Sequence, residues 1–187
     1  MMEIRSAAVS DAEAILAIYT PHVLNTAITF EYDVPSLEEF RSRIRETLKR
    51  YPYLVATQDG KVVGYAYAGS FRIRPAYQHI AEMSIYVDQK YRQHGIGRIL
   101  YEELEKRLAR QNVFSLYAIV TIPNSPDDAH ATDESLHFHE RMGYTKVGEY
   151  PLSGYKFGQW YSVACLEKDL CDRPDKPESF IPFSLLK

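Results

Sequence analysis

Residues 82–98 constrain this chain more than any other stretch. Glu82-Met83-Ser84-Ile85-Tyr86-Val87 is a β-branched and aromatic run with a carboxylate near its start. It breaks into Arg92-Gln93-His94-Gly95-Ile96-Gly97, an R-x-x-G-x-G loop that opens directly into an apolar-periodic segment. Strand, glycine loop and helix N-terminus in that order form a cradle for a diphosphate. Glycines let the backbone come close, successive N–H groups point at the anion, and the helix dipole favours negative charge. A dinucleotide fingerprint is excluded because the third glycine position holds Leu100, and no Gly-Lys-Ser/Thr triplet follows Gly97 to make a Walker loop.

The rest of the chain supplies a frame for that loop. With 187 residues it suits one domain with a sizeable core. A net charge of −3 argues against a general nucleic-acid binder. No apolar run reaches the length of a membrane span and no leader pattern opens the chain, so a cytoplasmic location is expected. Cys165 and Cys171 form no C-x-x-C pair or zinc pattern and read as reduced thiols, and no metal site is expected.

Periodicity predicts a first strand over residues 3–7 and a helix opened by a Ser10-x-x-Glu13 capping box, with Pro21 near its end. A second box, Ser36-x-x-Glu39, opens another helix. Strands over 53–57 and 61–68 are joined through Asp59-Gly60, a hairpin signal. A strand over 80–87 follows, then a helix over 95–110 with Ile96, Ile99, Leu100, Leu104 and Leu108 as its buried stripe. A strand over 115–122, a short helix over 134–142 ended by Gly143, and strands over 144–150 and 159–167 complete the order. The sequence β-α-α-β-β-β-α-β-α-β-β is a mixed α/β plan. Residues 171–187, with three prolines before Phe183, read as a C-terminal extension crossing the surface or serving a partner.

The loop resembles the acetyl-CoA loop of the GNAT N-acetyltransferases, and the element order resembles their fold. Further segments are similar to the phosphinothricin N-acetyltransferase branch of that family: Asn25-Thr26-Ala27-Ile28-Thr29-Phe30-Glu31, Tyr51-Pro52-Tyr53-Leu54-Val55-Ala56, Gly64-Tyr65-Ala66-Tyr67-Ala68-Gly69, Arg72-x-Arg74-x-x-Tyr77, Ala81-Glu82, Pro123-Asn124, His139-Glu140-x-x-Gly143-Tyr144 and Gly154-Tyr155-Lys156-x-Gly158-x-Trp160. The resemblance runs from about residue 3 to residue 170 and implies one acetyltransferase domain over 1–170. The implied fold has a central mixed sheet of about seven strands with flanking helices, the fourth and fifth strands parting around the pantetheine arm. The implied partners are acetyl-CoA, a small amino-acid-like acceptor and a second copy of the chain. Two departures stand out: residues 125–133 look like an insertion, and Phe157 stands where some members carry histidine.

Acetyl transfer to an α-amine requires removal of a proton from the ammonium form. Glu82, an acid on a mostly apolar strand, is the candidate base, against the plainer reading of a solvent-facing or salt-bridged strand residue. By the resemblance, His139 occupies the place where many members carry a tyrosine that serves the departing thiolate; the alternative is an ordinary helix histidine. Arg92, Gln93, His94, Gly95, Ile96, Gly97 and Arg98 are expected around the pyrophosphate, with Arg98 reaching a further phosphate or simply solvated. Backbone N–H groups of Ile85, Tyr86 and Val87 are expected to meet the thioester oxygen or pantetheine, and Asn124 to contact CoA. Arg72 and Arg74, on one strand face by alternation, are assigned to the acceptor's acid group, with Tyr77 and Phe30 closing the pocket; a decorated basic edge is the alternative. Lys156 and Trp160 line the same pocket or belong to a dimer seam. Two other activities stay open at this point, acetylation of protein or peptide N-termini and a non-catalytic acyl-CoA-binding module.

Overall fold

The computed structural model describes residues 2–186. Its strands are β1 Met2–Ser6, β2 Tyr53–Gln58, β3 Lys61–Ser70, β4 Ile80–Val87, β5 Ser115–Ile122, β6 Thr145–Lys156 and β7 Gln159–Asp169. Its α-helices are α1 Ala12–Asn25, α2 Leu37–Arg50, α3 Ile96–Ala109 and α4 Glu134–Arg141. The chain divides into two compact units. The first holds the residues up to Ile18, Pro35–Leu116 and those from Asp169 on; the second holds Tyr19–Val34 and Tyr117–Lys168.

In the first unit, four antiparallel strands run in the order β1-β2-β3-β4. Asp59 and Gly60 sit at φ 50° and 79°, the left-handed pair that a two-residue hairpin demands, and they set the register that places Gln58 opposite Lys61. Alternation then puts Tyr65 and Tyr67 of β3 on one face. Tyr67 stacks on Tyr53 at 4.9 Å and Tyr65 on Tyr86 at 5.2 Å, so the aromatic content of these strands becomes a cross-strand ladder. Helix α2 begins as its sequence dictates, with the Ser36 hydroxyl accepting from the Glu39 N–H at 3.2 Å. Helix α3 buries Ile96, Leu100, Leu104 and Leu108 completely or nearly so, each worth about 1.5–3 kcal/mol. Its fifth buried residue is Tyr101 rather than the expected Ile99, which is 36% exposed; the apolar stripe turns one position further round the helix.

The start of α1 also differs from expectation. Ser10 and Glu13 do not form its box. A short 3₁₀ turn over Val9–Asp11 precedes the helix, and the Asp11 carboxylate accepts from the Ala8 N–H at 2.8 Å and from both terminal nitrogens of Arg5. Asp11 is thereby held below the usual carboxylate range, chiefly by the Arg5 hydrogen bond.

The C-terminal extension lies on the first unit as a strap. Phe180 is buried against Tyr51 with the Arg50 guanidinium 4.5 Å from its ring centre, and Gln111 donates to the carbonyls of Arg50 and Ile181.

In the second unit the strand order is β5-β7-β6. Strand β6 runs to Lys156 rather than stopping near residue 150. Pro151 reads as a breaker in sequence, but on an edge strand its missing N–H costs little, and an irregularity between Tyr150 and Gly154 absorbs it. The strand then turns through Phe157 and Gly158 into β7.

Candidate active site

Glu82 lies on β4 directly opposite Gly69 of β3. It is half-buried, and the described residues place no hydrogen bond on its carboxylate. Burial pushes its carboxyl above the ordinary range, while the nearby Arg72 guanidinium pulls it back in part. A raised carboxyl is a stronger base than a solvated one once ionised, which is what abstracting a proton from an ammonium requires.

Arg72 and Arg74 do not share a strand face. Strand β3 ends at Ser70, and both arginines stand in the exposed bend that follows; Arg74 precedes a 3₁₀ turn over Pro75–Tyr77. The reason is Pro75, which can donate no ladder hydrogen bond and fixes the turn. Arg72 packs on Phe71, its guanidinium 4.3 Å from the ring centre, and donates to the Phe71 carbonyl at 2.8 Å. Tyr77 meets Phe71 edge-on at 6.2 Å. Arg72 is the arginine that the electrostatics couple to Glu82, and Arg74 is not among the groups that shift it.

The ladder also shows which way the backbone donors of β4 point. Asp88 N–H donates to the Val63 carbonyl at 3.0 Å, so Tyr86 and Tyr65 exchange hydrogen bonds in the same ladder. The N–H of Tyr86 is therefore committed to β3, whereas those of Ile85 and Val87 point to the strand's other edge. Of the three backbone donors expected there, those of Ile85 and Val87 face away from β3, on the edge that neighbours β5 in the sheet order, and that of Tyr86 does not.

Beyond β4, Asp88 caps a short turn by accepting from the Lys90 N–H, and Gln93 and Gly95 take φ of 63° and 77°. Gly95 is the N-cap of α3 and has no side chain to satisfy the first helical N–H groups. A Cβ on it would meet nothing within 4 Å, so the backbone there is open to approach, and its positive φ requires glycine. The His94 imidazole sits on the Arg92 carbonyl at 2.7 Å, which shapes the loop from within. Gly97 lies in the first turn of α3 behind the buried Ile96, and Arg98 is exposed and paired with Glu102 at 2.7 Å. Uncapped N–H groups at a helix start beside cationic side chains fit a diphosphate.

The second unit holds the other expected residues in a different condition. His139 is almost fully buried in α4, between Phe138 and Tyr144, with Nδ1 at 2.7 Å from the Ser135 carbonyl. Nδ1 therefore carries the proton, and burial holds the ring below the usual histidine value despite that hydrogen bond. A neutral imidazole in this tautomer offers a lone pair at Nε2 and no second proton. The expected role as acid to the thiolate is not supported by these surroundings, because desolvation disfavours the charged form the role needs.

Asn124 lies in the exposed turn after β5 and spends its amide nitrogen on the Trp160 carbonyl at 2.8 Å. Phe30 packs on Tyr161 beside Ala27 and Ala131, and its ring occupies the space where a Cβ on Gly154 would stand. It is fixed against the hairpin by that contact.

Two residues gained roles that spacing does not reveal. Lys156 is 2% exposed and donates to the carbonyls of Val23, Thr26 and Thr29 at 2.7–2.8 Å. It clamps the end of α1 and the segment after it, instead of lining a pocket. Asp128 organises the inserted residues 125–133. Burial works to raise its carboxyl, but N–H donors from His130, Asn124 and Ala131 and the Tyr161 hydroxyl together lower it. Among the described residues no group of three or more His, Cys, Asp or Glu converges as a metal site, and no helix is long and apolar enough to cross a membrane.

Residues 4–164 match the model of the acetyltransferase (GNAT) domain. The chain is 32% identical over 181 residues to a phosphinothricin N-acetyltransferase of Streptomyces viridochromogenes, covering 97% of this chain and 94% of that one. It is 31% identical to an L-methionine sulfoximine/L-methionine sulfone acetyltransferase of Pseudomonas paraeruginosa, covering 89% and 94%. A solved phosphinothricin acetyltransferase of Sinorhizobium meliloti in complex with AcCoA superposes with a TM-score of 0.86 at 32% identity, covering 100% of this chain and 98% of that one.

Proposed function

The chain belongs to the GNAT acetyltransferase family, with its seven-stranded mixed sheet and flanking helices, and from that membership we propose that it moves the acetyl group of acetyl-CoA to the α-amine of a small amino acid or amino-acid analogue. One observation carries the choice of acceptor. The half-buried Glu82 carboxylate, with its raised pKa, stands under the influence of Arg72, ten residues earlier in the chain. An amino acid presents the complementary pair, an ammonium for Glu82 and an acid group for Arg72. Phosphinothricin, methionine sulfoximine and methionine sulfone, the compounds named for the relatives, all have that head.

In this reading residues 1–170 act as one catalytic domain. Glu82 takes the ammonium proton, directly or through one water, and the freed nitrogen attacks the thioester carbonyl. The C–N bond forms, the C–S bond breaks and the electron pair leaves on sulfur. In the same reading the N–H groups of Ile85 and Val87, which face away from β3, receive the charge that gathers on the carbonyl oxygen. Acetyl-CoA supplies the activated acyl group, and the residues from Arg92 to Arg98, above all the N–H groups following Gly95, hold its diphosphate. Arg74 and Tyr77 are retained as flanking contacts of the acceptor. Neither cysteine is assigned a part: Cys165 is buried and Cys171 is in the tail, so transfer is direct.

We further read the protein as a cytoplasmic homodimer. An exposed free thiol at Cys171 suits a reducing compartment. The edge strand β6 with its hairpin exposes Val147, Tyr150, Leu152, Tyr155 and Trp160, an apolar edge of the kind that proteins cover. Light scattering on the wild type and on Leu152→Lys tests the dimer, which the substitution should dissociate.

The activity itself is tested by thiol release from acetyl-CoA across a panel of phosphinothricin, methionine sulfone, methionine sulfoximine, common amino acids and an N-terminal peptide. Turnover confined to free amino-acid heads supports the reading. Turnover on the peptide alone overturns the acceptor class, and tight CoA binding without turnover on any acceptor leaves a non-catalytic acyl-CoA module.

A further inference from the structure

Of the two glycines of β3, Gly64 is hemmed in by Ile96 and β4, whereas Gly69 is one that neither backbone conformation nor packing explains. Its φ lies outside the left-handed region, and a Cβ built on it meets no atom within 4 Å. Glycine in a paired strand is a cost, since it adds flexibility to the unfolded chain and offers no side chain to pack. At Gly154 the same residue type has an obvious cause, the Phe30 ring. At Gly69 the protein supplies no such neighbour.

What Gly69 does have is Glu82 directly across the ladder. The register without shifts makes them a bonded pair on one face, where opposed Cβ atoms stand about 5 Å apart. Any side chain at residue 69 would thus stand beside the Glu82 carboxylate, within the volume that an approaching amine and its carbon must enter. Tyr67, two residues earlier on the same face, is committed to the stack with Tyr53 and Tyr65 and does not fill that volume. Arg72, three residues on, acts on the same carboxylate. The short stretch from Gly69 to Arg72 therefore brings together room, a base across the ladder and a cation.

We infer that Gly69 is a specificity-determining residue: the open space over it seats the α-carbon of the acceptor, so that an amine on a substituted carbon reaches Glu82. This rests on the proposed transfer to amino-acid α-amines and adds to it the reason such a carbon is admitted. A slim primary amine with an unbranched carbon needs less of that space than an amino acid, whose α-carbon carries both an acid group and a side chain.

Steady-state kinetics of wild type, Gly69→Ala and Gly69→Val, with acetyl-CoA and methionine sulfone or phosphinothricin, test it beside thermal unfolding. Gly69→Val should lower kcat/KM for the amino-acid acceptor at least about tenfold, mainly through KM, while KM for acetyl-CoA stays unchanged. Gly69→Ala should show the same split at smaller size. Both variants should unfold at or above the wild-type temperature, because a Cβ in a strand with room around it has nothing to strain. That pairing of lost acceptor binding with kept or increased stability is the signature a merely structural glycine does not give. Unchanged acceptor kinetics in Gly69→Val, or a loss that follows a lower unfolding temperature in both variants, overturns the inference. A wild type without transfer to any amino acid overturns instead the reading beneath it, so the two failures are distinct.

Discussion

The strand-and-loop region around Glu82 and the hairpin region around Lys156 are both rich in polar groups, and they use them in opposite ways. In the hairpin region Lys156 gives its three protons to three carbonyls, Asp128 is surrounded by donors, and His139 and Asn124 each have a nitrogen on a carbonyl. In the strand region Glu82 takes no hydrogen bond from the described residues, Gly69 leaves space beside it, and the first N–H groups of α3 have no side-chain cap. Saturated polar groups hold a fold in one arrangement. Polar groups left with capacity, at some cost to stability, mark where a ligand completes the set. On the proposed reading, the contrast divides these particular groups into those that shape the protein and those that do its chemistry, and it makes measurable claims.

The largest effect belongs to Glu82. Glu82→Gln should lower the rate of acetyl transfer about 10²–10⁴-fold, the usual worth of a general base. Stability should move the other way. The folded chain raises the Glu82 pKa, so in the window just above the ordinary carboxylate value it keeps a proton that the unfolded chain has lost. Stability contributed by this group is thus present at low pH and is lost as pH rises through the folded value. Glu82→Gln should accordingly unfold at a higher temperature than wild type at neutral pH, with the gap closing in acid. A variant that is both inactive and less stable would move Glu82 to the structural side of the comparison.

Arg72→Ala comes next and tests the coupling within the strand region. It should raise the acceptor KM and leave KM for acetyl-CoA alone. It also removes the one charge that pulls the Glu82 pKa down, so the acidic limb of the kcat/KM profile should shift to higher pH. An unmoved limb with a raised KM would leave Arg72 as a binding residue with no hold on the base.

Lys156→Met should act on stability. It strands three carbonyl acceptors in a nearly buried site, and a loss of about 2–4 kcal/mol in denaturant unfolding is expected from hydrogen bonds made by a charged donor. Lys156→Arg should not rescue it, since a planar fork cannot reach three carbonyls arranged around a point. Stability within about 0.5 kcal/mol of wild type, the range of an ordinary surface change, would show that the clamp carries little.

The two regions also differ in how much of them sequence discloses. The strand, loop and helix from Ile80 to Ala109 are set by local signals, so the bounds of β4, the glycine turn at Gly95 and the start of α3 were legible, as were the Asp59-Gly60 turn and the Ser36 cap, although the buried stripe of α3 took Tyr101 in place of Ile99. The hairpin region is assembled from contacts more than a hundred residues apart in sequence, such as Lys156 with Val23 and Thr26, and nothing in their spacing announces them. The same holds for the tail strap. Where the local reading failed, a competing local signal was present: Pro75 ended β3 before the two arginines, and Pro151 concealed the second half of β6. Ser10-x-x-Glu13 had the form of a cap, but Asp11, with Arg5 to pair with, was the stronger acceptor.

His139 gives the smallest effect and the sharpest division between the regions. By position in the family pattern it belongs with the chemistry; by its surroundings it belongs with the hairpin. If it donated a proton to the departing sulfur, its removal would cost about 10²–10⁴ in kcat, as for other positioned acids. The proton on Nδ1 is held by the Ser135 carbonyl, however, and burial opposes a second one, so at neutral pH the side chain has none to give. His139→Leu should therefore keep kcat within about tenfold of wild type, below the range that an acid commands. The half-buried Ser135 carbonyl can turn to water, so the stability cost should be about 1 kcal/mol, that of one ordinary hydrogen bond. A kcat loss beyond a hundredfold at unchanged stability would return His139 to the reacting groups, and saturation of polar groups would then no longer separate scaffold from site in this protein.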